Sequence, residues 1–292
     1  MLAYDPANPR FPDVSHYRPI DPVPFLAAKP VALGAKATEG GYTDPTYAKN
    51  AVLAAGGDFP LIAYDFAHGG DPSHFLSVVK PKAKGVIPCG DMEAPDLTMK
   101  EAEDWVTAVS KAWGRLPWIY GHSLLNSWNP APTSILRQCT AWQATYGMHL
   151  TPTSWVKRVG VWQYSDGQTK WPSPGPRSFP GIGPCDMNTS YLSVADLRAA
   201  AGLDQGDDMT EAEVNALICA ALTTATIGDT QVQAHRNKAV SDVLLGLPKR
   251  KGQGDDYESA YDEAAKKLAS SNGGPHTHTL PGFPTGTGGV SP

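Results

Sequence analysis

The feature that most constrains the fold is a repeated alternation of short apolar runs with helical patterns over the first 135 residues. The clearest helical pattern covers residues 98–114, where Thr98 and Glu101 form a capping box and Trp105 and Trp113 are expected in the core. Weaker patterns cover 44–56, with Asp44 as the expected N-cap, and 71–80. Strands that alternate with helices favour a parallel sheet, so the sequence predicts a doubly wound sheet or a barrel. The runs that predict strands are Val31–Thr38, Pro60–His68, Gly85–Glu93 and Pro117–Gly121.

The helical patterns fade after about residue 135. Cys139–Tyr146 and Val159–Tyr164 are aromatic runs typical of strands. The segment Trp171–Pro184 contains five prolines and three glycines, a composition that predicts an irregular loop. The second half of the predicted sheet or barrel is therefore expected to lack most of its helices.

The last third of the chain differs in composition from the rest. Residues 1–203 hold 17 basic and 17 acidic residues, whereas residues 204–292 hold 7 and 12, and all eight tryptophans precede residue 172. We therefore predict a domain boundary near residue 203. The expected segments are a first domain at 1–203, a linker at 204–209, a small α-helical region at 210–270 and a disordered tail at 271–292.

Several classes of protein are excluded by composition. The chain is neutral and then acidic, which argues against nucleic-acid binding, and no apolar run is long enough for membrane insertion. The first ten residues lack the features of a signal peptide, so we expect synthesis and initial residence in the cytoplasm. The histidines and four cysteines show no metal-ligand spacing, so the sequence predicts neither a metal nor a cofactor.

Four carboxylates lie near the predicted strand ends. They are Asp13, Asp91, Glu93 and Asp186. Active sites of barrels and doubly wound sheets lie at the carboxyl ends of the strands, so these side chains are candidates for catalysis. Asp91 and Glu93 are two residues apart, which places both on one face of a strand. Two close carboxyls raise each other's pKa, and cleavage of a glycosidic bond needs one protonated and one ionised carboxyl.

A series of short motifs carries a resemblance to a known family. The sequence resembles the family 25 glycoside hydrolases, the muramidases of the Chalaropsis lysozyme type, over about residues 10–200. Eight segments match in order: Phe11–Tyr17, Lys36–Gly40, Ala63–Phe66, Asp91–Glu93, Trp118–Gly121, Trp142–Tyr146, Trp162–Ser165 and Asp186–Asn188. One departure is Asp65, which stands where the family usually has histidine.

The resemblance implies a fold and a reaction. The fold is a flattened, irregular (β/α) barrel, and the reaction is cleavage of the β-1,4 bond between N-acetylmuramic acid and N-acetylglucosamine in bacterial peptidoglycan. Glu93 would be the general acid, and Asp91 would stabilise positive charge directly or orient the substrate's acetamido group. Asp13 and Asp186 would tune Glu93. The substrate-binding residues would be Tyr64, Tyr120, Lys36, Glu39, Trp142, Gln143, Tyr146, Trp162 and Gln163.

The resemblance also implies a biological setting. A peptidoglycan hydrolase without a signal peptide is similar to a bacteriophage endolysin, which stays in the host cytoplasm until a separate holin-type protein releases it to the wall. For residues 210–247 we expect helices that form a homo-oligomer or dock on the barrel, and direct wall binding is the alternative. A catalytically silent glycan-binding barrel with a structural or wall-attachment role is the competing hypothesis for the whole chain.

Overall fold

The described part of the chain folds into a closed barrel of eight strands. The computed structural model describes residues 1–168 and 170–203. We number the barrel strands β1 to β8: Arg10–Val14, Leu33–Glu39, Leu61–Phe66, Val86–Asp91, Trp118–Gly121, Thr140–Ala144, Arg158–Ser165 and Asp186–Ser190. Strands β1 to β7 run parallel, each paired with the next. Strand β8 pairs antiparallel with both β7 and β1 and closes the ring. The predicted barrel is confirmed.

Helices cover the first half of the barrel more completely than the second. The described helices are α1 (Pro22–Ala27), α2 (Tyr47–Gly56), α3 (Ser73–Val78), α4 (Met99–Trp113), α5 (Ser123–Ser127) and α6 (Val194–Ala200), with a 3₁₀ turn at Ile135–Gln138. Residues 145–157, which connect β6 to β7, contain no helix. Short strand pairs join Leu2–Ala3 to His149–Leu150, Ser178–Phe179 to Gly183–Pro184, and Tyr42–Thr43 to the end of β2. The expected loss of helices is confirmed.

Helix α4 forms as its sequence predicts. The Thr98 side chain accepts a hydrogen bond from the Glu101 N–H, and Glu101 reciprocates at the Thr98 N–H, which completes the capping box. Gly114 ends the helix in the left-handed conformation. Trp105 and Trp113 are buried on the face that packs against the barrel, so both are core residues, as expected.

Helix α2 begins later than its sequence predicts. Asp44 was expected to be its N-cap, but the helix starts at Tyr47. The buried Asp44 carboxylate instead accepts hydrogen bonds from the N–H and hydroxyl of Thr46 and from the N–H of His16. Because His16 lies just beyond β1, Asp44 fixes the loop that follows β1 and does not cap the start of α2.

Apolar side chains fill both the inside and the outside of the barrel. Phe11, Cys89, Trp142 and Val161 belong to the cluster inside it, while the helices cover a larger cluster outside. Arg115 donates to the carbonyl oxygens of Val86 and Ala200, which ties α6 to the start of β4. Cys89, Cys139 and Cys185 are buried free thiols.

The described residues include no helix with both the length and the apolar character that a membrane span requires. The predictions made for the linker at 204–209, the helices at 210–270, the tail at 271–292 and the self-association surface at 210–247 lie outside the described residues. They remain predictions.

Candidate active site

One end of the barrel gathers the four predicted carboxylates. Asp13 lies near the end of β1, Asp91 is the last residue of β4, and Glu93 follows two residues later. The prediction that Asp91 and Glu93 share a strand face is wrong, because the strand ends at Asp91 and the Glu93 N–H turns back to donate to Asp91 Oδ1 at 3.1 Å. Asp186 was expected at the carboxyl end of a strand. It is instead the first residue of β8, and the reversed direction of β8 brings it to the same end of the barrel.

Asp13 lies at the centre of a buried hydrogen-bond network. Its Oδ2 accepts from Asn188 Nδ2 at 2.7 Å and from Gln163 Nε2 at 3.2 Å. Trp142 Nε1 donates to Asn188 Oδ1 at 2.7 Å, which fixes the Asn188 amide with its nitrogen towards Asp13. Tyr120 donates to Gln163 Oε1 at 2.7 Å and fixes that amide in the same way. The network therefore presents two N–H donors to one carboxylate.

Asp13 and Asp186 are paired across strands β1 and β8. Burial raises the pKa of Asp13 to about 6, and the hydrogen bonds from Asn188 and Gln163 oppose the rise. Burial, together with the charges of Asp13 and Asp166, raises the pKa of Asp186 to about 8, and Arg18 opposes this rise. Because only Asp13 receives the two amide donors, Asp13 is the member that ionises first and Asp186 keeps the proton at neutral pH.

Asp91 and Glu93 form a second pair with raised pKa values. Burial raises the pKa of Asp91 well above its usual range, and the Glu93 charge adds to the effect, while the Glu93 N–H and Lys36 oppose it. Burial also raises the pKa of Glu93, against a hydrogen bond donated by the His122 backbone. Asp91 is buried, whereas part of the Glu93 side chain still meets solvent. Burial therefore favours the protonated form of both carboxyls, and Glu93 is the member that a ligand can reach.

Lys36 and Glu39 lie at the rim of the site on β2. Lys36 donates to the Glu39 carboxylate, and its Nζ lies 5.2 Å from the centre of the Phe66 ring. The hydrogen bond from Lys36 lowers the pKa of Glu39 despite some burial. The positive charge of Lys36 thus acts on both Glu39 and Asp91.

The predicted aromatic residues divide into two groups. Tyr64 and Tyr120 are half-buried, and Tyr146 is 37% exposed, so these three rings border the site. Tyr64 donates to the Val14 carbonyl oxygen at 3.3 Å. Burial is the main cause that raises the pKa of Tyr64, and the charges of Asp13, Asp91 and Asp186 add to the rise. This shared influence places Tyr64 among the carboxylates.

Four predicted substrate-binding residues are buried, and three of them, Trp142, Gln143 and Trp162, donate hydrogen bonds to groups other than the carboxyls. Trp142 is buried inside the barrel beneath Tyr64 and Tyr120. Gln143 points out of the barrel, where it exchanges hydrogen bonds with Thr153. Trp162 also belongs to the outer face and donates to the Thr145 carbonyl oxygen. Their burial favours supporting roles, whereas Gln163 faces inward and joins the network around Asp13.

An open cavity of about 440 Å³ adjoins Asp13 and Asp186, whereas Asp91 and Glu93 are not among the residues that line it. Of the predicted residues, Asp13, Tyr64, Tyr146 and Asp186 line it. Tyr17 and Arg18 also line it, and the sequence prediction did not include them. Asn188 was missed as well, although its position two residues after Asp186 on β8 would have placed it on the same inward face. Among the described residues, no group of three or more histidine, cysteine or acidic side chains is arranged to hold a metal ion.

Asp65, the departure from the family pattern, does not face the site. It points out of β3 towards α4, where it accepts hydrogen bonds from Thr38 Oγ1 at 2.7 Å and from Trp105 Nε1 at 2.9 Å. Burial raises the pKa of Asp65, and these two donors oppose the rise. The Asp65 side chain therefore joins β2, β3 and α4 and adds no charge to the cavity.

The sequence profile of glycosyl hydrolases family 25 matches residues 13–170, more than half of the 292-residue chain. The chain belongs to glycosyl hydrolases family 25. It is therefore a glycoside hydrolase, and the resemblance found in the sequence is confirmed. The family 25 match begins at Asp13, includes Asp91 and Glu93, and ends before Asp186.

Solved structures share this family 25 fold. A bacterial lysozyme from Streptomyces coelicolor is similar with a TM-score of 0.57 at 23% identity, over 68% of this chain and 99% of its own. A family 25 glycosyl hydrolase from Bacillus anthracis is similar with a TM-score of 0.53 at 17% identity, over 69% of this chain and 98% of its own. The CTP1L endolysin is similar with a TM-score of 0.51 at 18% identity, over 68% of this chain and 71% of its own. No curated protein sequence matches the chain.

Proposed function

We propose that this family 25 protein is a muramidase that cleaves the β-1,4 bond between N-acetylmuramic acid and N-acetylglucosamine in bacterial peptidoglycan. The observation that carries the proposal is the pair formed by Asp91 and Glu93, two carboxyls with raised pKa values of which one is buried and the other reaches solvent. The similar structures add support, because one is a lysozyme and another is the autolysin LytC from Streptococcus pneumoniae in complex with a synthetic peptidoglycan ligand.

Glu93 is the general acid in this proposal. Partial burial raises the pKa of its carboxyl and so favours the protonated form, and its exposed edge can reach the glycosidic oxygen. Donation of that proton lets the leaving sugar depart as an alcohol rather than an alkoxide.

Asp91 acts beneath the reacting carbon. In the free protein burial favours its protonated form, but positive charge develops on the sugar as the bond breaks. That charge favours the Asp91 anion, and so do the Glu93 N–H and Lys36. Asp91 stabilises the positive charge directly or orients the substrate's acetamido group as an internal nucleophile. Both routes lead to retention at the anomeric carbon.

The remaining residues hold and tune the site. Asp13 and Asp186 share a proton and form the floor. Tyr64, Tyr120 and Tyr146 offer ring surfaces to the sugars. Lys36, Glu39 and Gln163 supply polar contacts at the rim and the base. Trp142, Gln143 and Trp162 support these groups from behind.

We further propose that the protein acts as an endolysin. The CTP1L endolysin shares the fold, which supports this assignment. In this proposal the protein is held in the host cytoplasm until a holin-type protein gives it access to the wall, and residues 210–247 provide self-association, docking or wall attachment.

The proposed reaction is tested by the ends that it creates. Purified peptidoglycan is digested with the full chain, and the soluble fragments are reduced with borohydride and identified by mass spectrometry. We expect muramic acid at the new reducing ends. Reducing-end glucosamine would indicate the other glycosidic bond, and free peptides would indicate an amidase or peptidase, so either result would overturn the proposal.

A further inference from the structure

The turn after β1 brings two residues to the cavity that the catalytic proposal does not use. The Arg18 N–H donates to the Ser15 carbonyl oxygen at 2.9 Å and closes a tight turn over residues 15–18. Tyr17 and Arg18 both line the cavity beside Asp13 and Asp186. The turn thus forms part of the cavity wall next to Asp13 and Asp186.

The turn is held in place from below by Asp44. Both the backbone N–H and the ring Nδ1 of His16 lie within 3.0 Å of Asp44 Oδ2. Hydrogen bonds from Thr46 and His16 outweigh burial and lower the pKa of Asp44, so it is an anion at neutral pH. Because Asp44 and the Ser15 carbonyl fix the backbone of the turn, little backbone entropy is lost when a ligand binds to Tyr17 and Arg18.

Tyr17 presents an exposed aromatic surface. Its side chain is 75% exposed, and its ring centre lies 3.9 Å from that of His16, at an angle of 39° between the planes. A flat ring supported from one side and open to solvent is suited to contact with the apolar face of a sugar. Since Tyr17 lines the cavity, a sugar bound there is continuous with one bound over Asp13.

Arg18 carries the only positive charge among the described residues that line the cavity, where Asp13, Asp166 and Asp186 supply three carboxyls. The guanidinium is close enough to Asp186 to oppose the rise in its pKa. The described residues form no salt bridge with Arg18. An acidic ligand would be repelled by this cavity unless its charge met Arg18.

We propose that Tyr17 and Arg18 form a subsite for a sugar that carries a carboxylate, with the sugar ring on Tyr17 and the carboxylate paired with Arg18. The inference rests on the proposed function, since N-acetylmuramic acid bears a lactyl carboxylate that becomes an amide when a peptide is attached. The subsite therefore selects muramic acid with a free lactyl carboxylate. It also accepts muramic acid whose attached peptide places one of its own carboxylates next to Arg18.

The test uses the full chain carrying Glu93→Gln, so that ligands bind without being cleaved. Calorimetry compares three tetrasaccharides of alternating N-acetylglucosamine and N-acetylmuramic acid, with lactyl groups that are free, converted to the methyl amide or extended by the stem peptide. We expect the free acid to bind about tenfold more tightly than the methyl amide, because a partly exposed charged pair contributes modestly. Binding of the stem-peptide form as tight as that of the free acid would identify a peptide carboxylate as an equivalent ligand.

Substitutions then assign the preference to residues. Arg18→Gln should bind the acid no more tightly than the methyl amide, because the cavity carboxylates then repel the acid, and Arg18→Lys should keep part of the preference. Tyr17→Leu should weaken binding of both glycans by a similar factor. Arg158→Gln is the matched control, because Arg158 is an exposed arginine at the start of β7, at the other end of the barrel.

The outcomes separate the two proposals. A preference that survives Arg18→Gln, or a parent chain that binds the acid and the amide equally or binds neither, would overturn the subsite. The identity of the reducing ends, measured with the unsubstituted chain, decides the proposed reaction independently of any carboxylate preference.

Discussion

Asp13 and Asp186 face each other directly across the antiparallel strands β1 and β8, where the barrel closes. Residues paired in this way have Cα atoms about 4.5–5.5 Å apart, so two buried carboxyls are brought together by the register of the strands. Asn188 and Gln163 donate to Asp13 and favour its anion, which leaves the proton on Asp186. The closure of the barrel thus creates a carboxyl pair with one proton.

This pair should make stability fall as pH rises. Asp186 has a folded pKa of about 8 against an unfolded value of about 3.9, so below about pH 4 it is protonated in both states. Between about pH 4 and 8 the unfolded chain releases a proton that the folded chain keeps, which favours unfolding. Asp186→Asn cannot titrate, so at pH 8 it should be more stable than the wild type by at least about 1 kcal/mol, since each pKa unit corresponds to ~1.4 kcal/mol.

The measurement is denaturant unfolding of both proteins from pH 4 to pH 8. Asp104→Asn, which removes an exposed carboxylate on α4, is the control and should follow the wild type. A constant difference between Asp186→Asn and the wild type over this range would contradict the assignment of the proton to Asp186.

Gly34 on β2 should be required for the position of Asp13. A Cβ at Gly34 would lie 2.4 Å from Asp13 Cβ and 2.8 Å from Trp142 Cη2, distances that force one of them to move. We expect Gly34→Ala to lower the free energy of unfolding by about 1–3 kcal/mol and the activity of the folded protein at least about tenfold.

Gly41→Ala provides the comparison for Gly34→Ala. A Cβ at Gly41 meets no atom within 4 Å, so this variant should retain wild-type stability and activity. Stability is read from urea unfolding, and activity from peptidoglycan turbidity at a temperature where all variants are folded. Wild-type values for Gly34→Ala would show that Asp13 and Trp142 adjust without cost.

The alternation of strands and helices is local, so the sequence pattern predicted a doubly wound sheet or a barrel, and the resemblance to family 25 favoured the barrel. Each apolar run and the capping box at Thr98 can be recognised within a few residues. The direction of β8 could not be predicted in this way, because it depends on pairing with β1, about 175 residues away. Asp186 was therefore identified as a candidate while its place on the strand was wrong.

The side chains of the site were predicted less completely than its carboxylates. Asp13, Asp91, Glu93 and Asp186 stand out because acidic residues next to apolar runs are unusual. Trp142 has no such signal: its indole could contact a sugar or fill the barrel. Its burial depends on distant contacts, with Gly34 and with the Asn188 side chain that accepts its N–H. Asp44 is a similar case. Its local pattern predicts a helix cap, but its carboxylate accepts a hydrogen bond from His16 in a loop that is distant in the sequence.

A chain ending at Leu203 should fold without the remaining residues. All eight strands precede this point, and the end of α6 is fixed by Arg115 and by the Leu203 N–H, which donates to the Arg198 carbonyl oxygen. Leu197 and Leu203 are buried against the inner cluster. A chain ending at Leu192 would expose that surface, so we expect cooperative unfolding for residues 1–203 and a loss of cooperativity for residues 1–192.

Circular dichroism of both chains during thermal unfolding checks this prediction. Sedimentation of the full chain beside residues 1–203 also tests the helices predicted at 210–247, since a larger particle for the full chain alone would support self-association. A molten chain of 203 residues would show that the domain boundary lies further along the sequence.

Glu93→Gln should abolish most of the activity and leave the fold intact. Glutamine keeps the shape of the side chain but has no proton to donate, so the general-acid contribution of roughly 10²–10⁴ in rate should be lost. Asp91→Asn removes the charge beneath the reacting carbon and should cost a comparable factor. Both variants should melt at or above the wild-type temperature, because burial opposes the charge that each removes.

The control for both variants is Asp96→Asn, which removes a carboxylate from the same loop at a side chain that is 72% exposed. Turbidity assays with peptidoglycan, run beside thermal melts, separate lost chemistry from lost folding, and Asp96→Asn should match the wild type in each. Glu93 is the most exposed of the four site carboxyls, which favours it as the proton donor. A folded Glu93→Gln variant with wild-type activity would therefore require a different acid and a different mechanism.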